Sequence, residues 1–378
     1  MASDFQAQLP GVDQHSYHFV TRGGGGSHPY LYEPNRAIWR GQAVLAHCTE
    51  LARGGYRPDL IIGHNGWGEI LFLKDLWPQA GVVGYFEFFY RGQGADVGFD
   101  PEEPYSLDDV ARVRTLNTIN LLGLDAVDIG VCPTAWQKQL YPVEYQNKLV
   151  QIHDGIDTER ACPGSARPLR LPDGRVLGPD TPIVTYVARD LEPYRGFRSA
   201  MRAAVEILRR HQDAHMVFVG GNGVSYGNPP PSGGTWRNHM LTELSGQLPM
   251  DRVHFLGKLA HQDFINLMRL SRAHLYLTYP FVLSWSMLEA MATGVSLVAS
   301  ATPPVEEIVE HGYNGLLVPF ADPGAIADGV LETLSMNEVQ RRAMRRAARQ
   351  TVVERFDLQW VALPAWQRLL RERFQAPL

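Results

Sequence analysis

The chain has 378 residues, 45% hydrophobic and 20% charged, with a formal net charge of -5; that suffices for two domains with full cores and leaves no basic surface of the kind nucleic acid requires. No run of about eighteen apolar residues spans a membrane, and the N-terminus lacks the basic and apolar regions of a secretion signal, so a cytoplasmic protein is expected. Cys48, Cys132 and Cys162 are odd in number and form no C-x-x-C pair, so they read as reduced thiols and not as a disulfide frame or metal cluster.

In chain order, the first ten residues are polar and residues 17–20 have the look of a strand. The glycine run at 23–26 is followed by no Lys-Ser/Thr and reads as a surface turn, not a phosphate loop. From Pro58 onward strands and helices alternate: strand 59–63, helix 69–75, strand 81–86, a long helix 106–122, strand 126–131, helix 134–140 and strand 148–152. Residues 161–181, rich in Pro, Gly and charge, are expected as a linker. A second series opens with strand 183–188 and an amphipathic helix through Arg210, then continues with strands 216–220, 253–256, 274–277 and 296–299. The pattern predicts an α/β protein with two Rossmann-like αβα domains facing a cleft, residues 1–160 and 182–355. Residues 356–378 are expected as a helix packing back on the first domain. Functional groups belong at the carboxyl ends of the strands. No strand and helix precede Pro58 to open the first sheet, so its first strand is expected to be missing; a start upstream of Met1 is the favoured reason, because a sheet without a central strand is costly.

Residues 279–319 carry the strongest signal. They read as a strand end, a turn, a short helix, a buried strand, a proline turn, a second helix and a Tyr-Asn-Gly hairpin. Ser284 stands where an N-cap would, with Met287, Leu288 and Met291 at helical spacing behind it, so Trp285 and Ser286 are expected to present free backbone N–H groups. A phosphate placed there gains orphan donors and the positive end of the helix dipole. Glu289, one turn beyond Trp285, is expected near the same mouth, where a carboxylate accepts hydrogen bonds from the vicinal hydroxyls of a ribose. Upstream, Arg189 and Arg195 flank the end of strand 183–188. A guanidinium fork suits phosphate oxygens; the plainer reading pairs the two arginines with Asp190 and Glu192 on a surface loop. The polar loop from Gly220 to Asn228, with Gly221 and Gly223, is long enough to be functional.

These residues resemble the donor-binding region of retaining glycosyltransferases of the GT-B type, family 4. Glu289-Ala290-Met291-Ala292-Thr293-Gly294, Glu306-Glu307-Ile308-Val309 and Asn314-Gly315-Leu316-Leu317-Val318 follow the family pattern. Phe281 replaces its first Glu, which contacts the transferred sugar. Arg189 and Arg195 stand for the family's basic pair on the nucleotide phosphates, with Ala188 for Gly and Arg195 for Lys. The neighbourhood of Gly257-Lys258-Leu259 is where the family holds the nucleobase, which places Lys258 at the donor. Toward the N-terminus the likeness extends to a subgroup through His28-Pro29-Tyr30, Gly66-Trp67-Gly68-Glu69, residues 71–78 and Gly84-Tyr85-Phe86-Glu87-Phe88-Phe89-Tyr90-Arg91. Glu87 occupies a place where many members carry a His, and a carboxylate there suits a base for the attacking hydroxyl or a ligand for the sugar as well as a structural bond to loop backbone. His64, ending the preceding strand, is a weaker candidate.

The resemblance implies transfer of a sugar from a nucleotide diphosphate sugar to a hydroxyl acceptor with retention, in polysaccharide or glycolipid assembly, with a saccharide or lipid-linked saccharide as acceptor. No cofactor and no metal are expected, since no D-x-D pattern or His/Cys cluster stands in a suitable context. The rivals are an isomerase or phosphorylase on the same fold and a non-catalytic nucleotide or sugar binder. The basic helix from Gln340 to Arg349 reads either as a solvated face, which is favoured, or as a peripheral contact with anionic lipid at the inner face of the membrane.

Overall fold

Strands apolar on both faces form two parallel sheets, as expected when helices cover both sides. The computed structural model describes residues 10–20 and 28–375, so the glycine run at 23–26 lies outside the described residues. The chain divides into two units: residues 1–153 with 365–378, and residues 154–364.

In the first unit the elements are α1 (Tyr32–Arg53), β1 (Leu60–His64), α2 (Leu73–Leu76), β2 (Gly81–Tyr85), α3 (Leu107–Leu116), α4 (Thr118–Ala126), β3 (Ile129–Cys132), α5 (Ala135–Gln139), α6 (Val143–Gln146) and β4 (Leu149–Gln151). The strands pair in chain order, β1-β2-β3-β4, all parallel. β1 stands at the sheet edge, and no strand precedes it among the described residues.

Four expectations for this unit are corrected. A helix does precede Pro58, since α1 runs from Tyr32 to Arg53, although no strand does among the described residues. Residues 17–20 are irregular, with the Tyr17 hydroxyl donating to Glu69 Oε1 at 2.8 Å. The helix 69–75 shrinks to α2, because Gly68, at φ 94°, starts a run of turns in which Leu71 N–H bonds Gly68 O and Leu73 N–H bonds Ile70 O. The helix 106–122 is two helices. α3 starts on a reciprocal Ser106–Asp109 cap. It ends at Asn117, whose side-chain amide is taken by the backbone N–H and C=O of Tyr90.

The second unit begins with a two-stranded antiparallel hairpin, β5 (Leu169–Arg170) and β6 (Val176–Leu177). Then come β7 (Ile183–Asp190), α7 (Phe197–Arg210), β8 (His215–Gly221), α8 (Trp236–Glu243), β9 (Val253–Phe255), α9 (His261–Leu270), β10 (Ala273–Tyr276), α10 (Trp285–Thr293), β11 (Leu297–Ser300), α11 (Pro303–Glu306), β12 (Leu316–Val318), α12 (Pro323–Ser335) and α13 (Glu338–Phe356). The parallel sheet has the order β12-β11-β10-β7-β8-β9, so the chain reverses its direction of growth beside β7 and β10. Crevices open at such switch points. Residues 161–181 are not a free linker, since Ala161, Leu171 and Leu177 lie in this unit's core. The last helix, α14 (Leu363–Phe374), sets Leu369 and Leu370 against Val83, Ile129 and Val131 of the first unit. Those contacts are why residues 365–378 fold with it.

Helix α13 answers the question of the basic segment. Arg341, Arg345 and Arg349 repeat every fourth residue and share one face. Each binds carbonyls at the end of another helix. Arg341 donates to Met336 O (2.6 Å) just past α12, Arg345 to Ser271 O (3.1 Å) just past α9, and Arg349 to Ala292 O (2.8 Å) in the last turn of α10. Cations at helix C-termini meet both orphan carbonyls and the negative dipole end. Arg342 and Arg346 stay exposed, so the favoured reading of a wholly solvated face is corrected, and the helix has few charges left for a lipid surface.

Candidate active site

In the second unit the expected residues follow the carboxyl ends of β7, β8, β9 and β10. β7 ends in a register irregularity between Val187 and Asp190, and Arg189 there is exposed, with no hydrogen bond or ion pair among the described residues. A 3₁₀ turn, Pro193–Arg195, follows and leads into α7 through Gly196 at φ 70°. Only glycine fits that position, because a Cβ would meet Leu277 Cβ at 2.3 Å. The Tyr186 hydroxyl, kept protonated by its complete burial, donates to Arg195 O at 2.6 Å and holds the turn.

Asp190 and Glu192 do not pair with the two arginines. They hold the Gly221–Gly227 loop. Glu192 Oε2 accepts from the N–H groups of Ser225, Tyr226 and Gly227, each at 3.1 Å, and Asp190 accepts from Gly223 N–H and the Ser225 hydroxyl. Gly221 and Gly223 are small because Asp190 packs on them; a Cβ on Gly221 would lie 2.2 Å from Asp190 Oδ1. The loop amides are thereby committed to carboxylates of this chain. Lys258 Nζ stands 3.6 Å from Asp190 Oδ1 with its side chain largely exposed.

Arg195 is only 7% exposed, yet no carboxylate lies within ion-pair distance of it among the described residues. Its Nη1 donates to Thr278 Oγ1 (2.8 Å) and Val282 O (3.0 Å) and reaches Tyr276 Oη at 3.5 Å, all neutral acceptors. The rings of Tyr226 and Phe281 face its guanidinium at 5.2 and 5.8 Å. Phe281, at the position where the resemblance led to the expectation of a Glu, is part of an aromatic cluster with Tyr194 and Tyr226. A buried cation without a counter-charge is costly, and cation–π contacts offset only part of that cost.

Tyr276 Oη also accepts from Ser284 N–H at 2.9 Å, which ties Arg195 to the start of α10. Ser284 is the N-cap expected. Its Oγ accepts from Ser286 N–H (3.3 Å) and lies 2.8 Å from Ser286 Oγ. The Ser286 N–H is therefore not free, which corrects the expectation; the Trp285 N–H has no partner among the described residues, and two hydroxyls stand beside it. The Trp285 indole is exposed and donates to Asp154 Oδ2 at 2.8 Å. Glu289 lies on the next turn, its Oε1 2.5 Å from His261 Nε2.

Glu87 belongs to the first unit, two residues beyond β2. Its Oε2 is 3.0 Å from His64 Nε2, and His64 Nδ1 accepts from Gly66 N–H at 3.1 Å. The hydrogen is thus on Nε2, and His64 donates to Glu87. Gln137 donates to Glu87 O, while Asn120 and Asn117 bind the backbone of Phe88 and Tyr90, so the segment after β2 is fixed on every side. Both side chains stay partly exposed. No sequence signal marked His261, because its partner lies 28 residues away on another helix. Glu192 was visible only as a rival ion-pair partner.

Residues 1–161 match the profile of the glycosyl transferase family 4 group, and residues 173–351 that of glycosyl transferases group 1. The D-inositol 3-phosphate glycosyltransferase of Corynebacterium jeikeium is 30% identical over 316 residues, which cover 80% of this chain and 69% of that protein. Of other curated relatives the chain spans about half the length, 41%, 57% and 44% in three cases. Sucrose-phosphate synthase from Thermosynechococcus elongatus superposes with a TM-score of 0.66 at 20% identity, over 94% of this chain and 83% of that one. HepE of Anabaena, solved with UDP-glucose, does so at 0.63 and 17%, over 87% and 83%. The two structures speak for the fold and the relative for descent: the chain belongs to the glycosyltransferases of the two-domain GT-B fold.

Proposed function

We propose that the chain transfers a sugar, with retention, from a nucleotide diphosphate sugar to a hydroxyl acceptor, without a resident metal. The observation that carries this reading is Arg195, buried and joined through one tyrosine hydroxyl to the N-terminus of α10, with only neutral acceptors around it. Such a cation gains most from an anion brought to it. Arg189, exposed one strand end away, and the Trp285 N–H with the Ser284 and Ser286 hydroxyls complete a set of donors suited to a diphosphate.

Negative charge grows on the diphosphate as the glycosidic bond breaks, so donors fixed before the reaction lower the barrier more than they tighten the ground state. Glu289 is assigned the ribose and Lys258 the neighbourhood of the base. Glu87, with His64 donating to it, is the acceptor-side carboxylate, either as base for the attacking hydroxyl or as a ligand to the sugar. Support for the donor class comes from HepE, solved with UDP-glucose. Support for a polyol or saccharide acceptor comes from the relatives named D-inositol 3-phosphate glycosyltransferase. Retention and a role in polysaccharide or glycolipid assembly are part of the proposal and rest on the resemblance of the motifs to family 4.

The test is release of nucleoside diphosphate from a panel of nucleotide sugars, with and without saccharide acceptors, and the anomeric form of the product read by NMR. Arg189→Ala lowers kcat/KM roughly a hundredfold or more, the usual size for a lost charge-stabilising donor. Activity within about twofold of the parent removes Arg189 from the site. Product formed without acceptor favours an isomerase or phosphorylase, and binding without turnover favours a non-catalytic homologue, the reading to which Phe281 lends weight.

A further inference from the structure

We propose that His261 is a positioning residue for Glu289, and that through it the site distinguishes a ribonucleotide from its 2′-deoxy counterpart. The inference rests on the donor-site reading above. His261 opens α9 and Glu289 lies in the middle of α10, two helices that pack together, and the bond between His261 Nε2 and Glu289 Oε1 crosses from one to the other. It is the only hydrogen bond or ion pair of the Glu289 carboxylate among the described residues. The carboxylate is mostly covered, its side chain 18% exposed, while the imidazole is 38% exposed. The imidazole is itself steadied by Phe264, one turn along α9, whose ring is 6.1 Å away and 7% exposed within the core.

A glutamate has three rotatable bonds, and ordering it costs entropy at the moment of binding unless something has ordered it already. His261 does so, and its position decides which oxygen is left over. With Oε1 engaged, Oε2 and the remaining lone pair of Oε1 form one edge that can accept from two adjacent hydroxyls. A second consequence concerns charge. Glu289 lies one helical turn, about 5.4 Å, from the α10 start where a diphosphate would sit. Two negative groups at that range repel, and a hydrogen bond from His261 withdraws charge from the carboxylate. A carboxylate aimed at hydroxyls rejects a ligand that lacks one, because its lone pairs are then desolvated without a partner.

The experiment is calorimetric titration of the full chain with UDP, GDP and ADP, followed by the 2′-deoxy form of whichever binds, for the parent, His261→Ala and His261→Gln, with each variant's Tm as a check of folding. The parent is expected to prefer the ribonucleotide about tenfold or more. His261→Ala weakens the ribonucleotide by about tenfold and brings the ribo-to-deoxy ratio near one, while His261→Gln, whose amide can still donate, recovers part of both. In turnover the change appears in KM more than in kcat. An unchanged ratio in His261→Ala, or equal losses for both nucleotides, overturns the proposal and leaves His261 a structural partner of α10. Failure of the parent to bind any nucleotide overturns the donor-site reading itself, and the inference with it.

Discussion

Replacing Arg349 with Met keeps the aliphatic stem and removes only the guanidinium. Three carbonyls then lose a charged donor: Ala292 O at 2.8 Å and Ala161 O at 3.1 Å from Nη1, and Thr158 O at 3.3 Å from Nη2. A hydrogen bond to a charged group contributes about 1.5–3 kcal/mol. Ala292 O and Ala161 O share one Nη1 and the bonds to Thr158 O are long, so the sum is less than three such bonds, and water replaces part of it at a half-buried site. The expected loss is about 2–4 kcal/mol. For a unit of roughly 200 residues each kcal/mol moves Tm by about 2–4 °C, so Tm should fall by about 5–12 °C. Arg346→Met is the control, since Arg346 is exposed on the same helix and bonds to nothing among the described residues; a surface change of that kind stays within about 0.5 kcal/mol. Urea unfolding of the parent and both variants measures the difference directly. Equal stabilities for the two variants, or a loss below about 0.5 kcal/mol for Arg349→Met, would refute the reasoning that α13 clamps the ends of its neighbours.

Acid should destabilise the chain through His274. Burial holds this ring down at about 4, against an ordinary 6.5, so it stays neutral in the folded chain while the unfolded chain takes up a proton. Stability is therefore complete above pH 6.5 and lost as pH falls from 6.5 toward 4, by up to about 3 kcal/mol. His254, also lowered to about 4 by burial and then by its neighbour His215, adds in the same direction. His274→Asn should flatten this limb of the stability curve, and an unchanged slope between pH 6.5 and 4 would assign the acid loss elsewhere. On the acceptor side, Glu87→Gln should lower kcat about a hundredfold while leaving Tm in place. An unchanged kcat would confine Glu87 to supporting the turn that carries His64 and Gly66.

Local patterns made much of the fold legible. The N-cap at Ser284, the apolar spacing behind it and the strands of the second sheet are short-range signals, and α10 forms where they put it. The errors arose where distant residues decide the backbone. Asn117 breaks a helix-forming stretch because its amide serves Tyr90, 27 residues away. Residues 161–181 have the composition of a linker, yet Leu171 and Leu177 find a core to enter. The candidate site divides in the same way. Arg195 and Glu289 could be placed from the motifs they sit in. The commitment of the loop amides to Asp190 and Glu192, and the bond from His261 to Glu289, could not, because each joins groups 28 or more residues apart. The inward turn of Arg341, Arg345 and Arg349 was hidden for a related reason: an arginine every fourth residue looks the same whether the stripe meets water or the ends of three helices.

The central claim, that Arg189, Arg195 and the start of α10 await a diphosphate, is tested most directly by thermal unfolding of the chain with UDP, GDP, ADP or no nucleotide, beside Arg189→Ala. Arg189 is exposed and without partners among the described residues, so the variant should keep the unliganded Tm. At about a hundred times Kd a ligand adds roughly 2.7 kcal/mol, a rise of several degrees. The account predicts such a rise for at least one nucleoside diphosphate, strongly reduced in Arg189→Ala at the same concentration. No rise with any of the three in a cooperatively unfolding chain, or an equal rise in the variant, would contradict it.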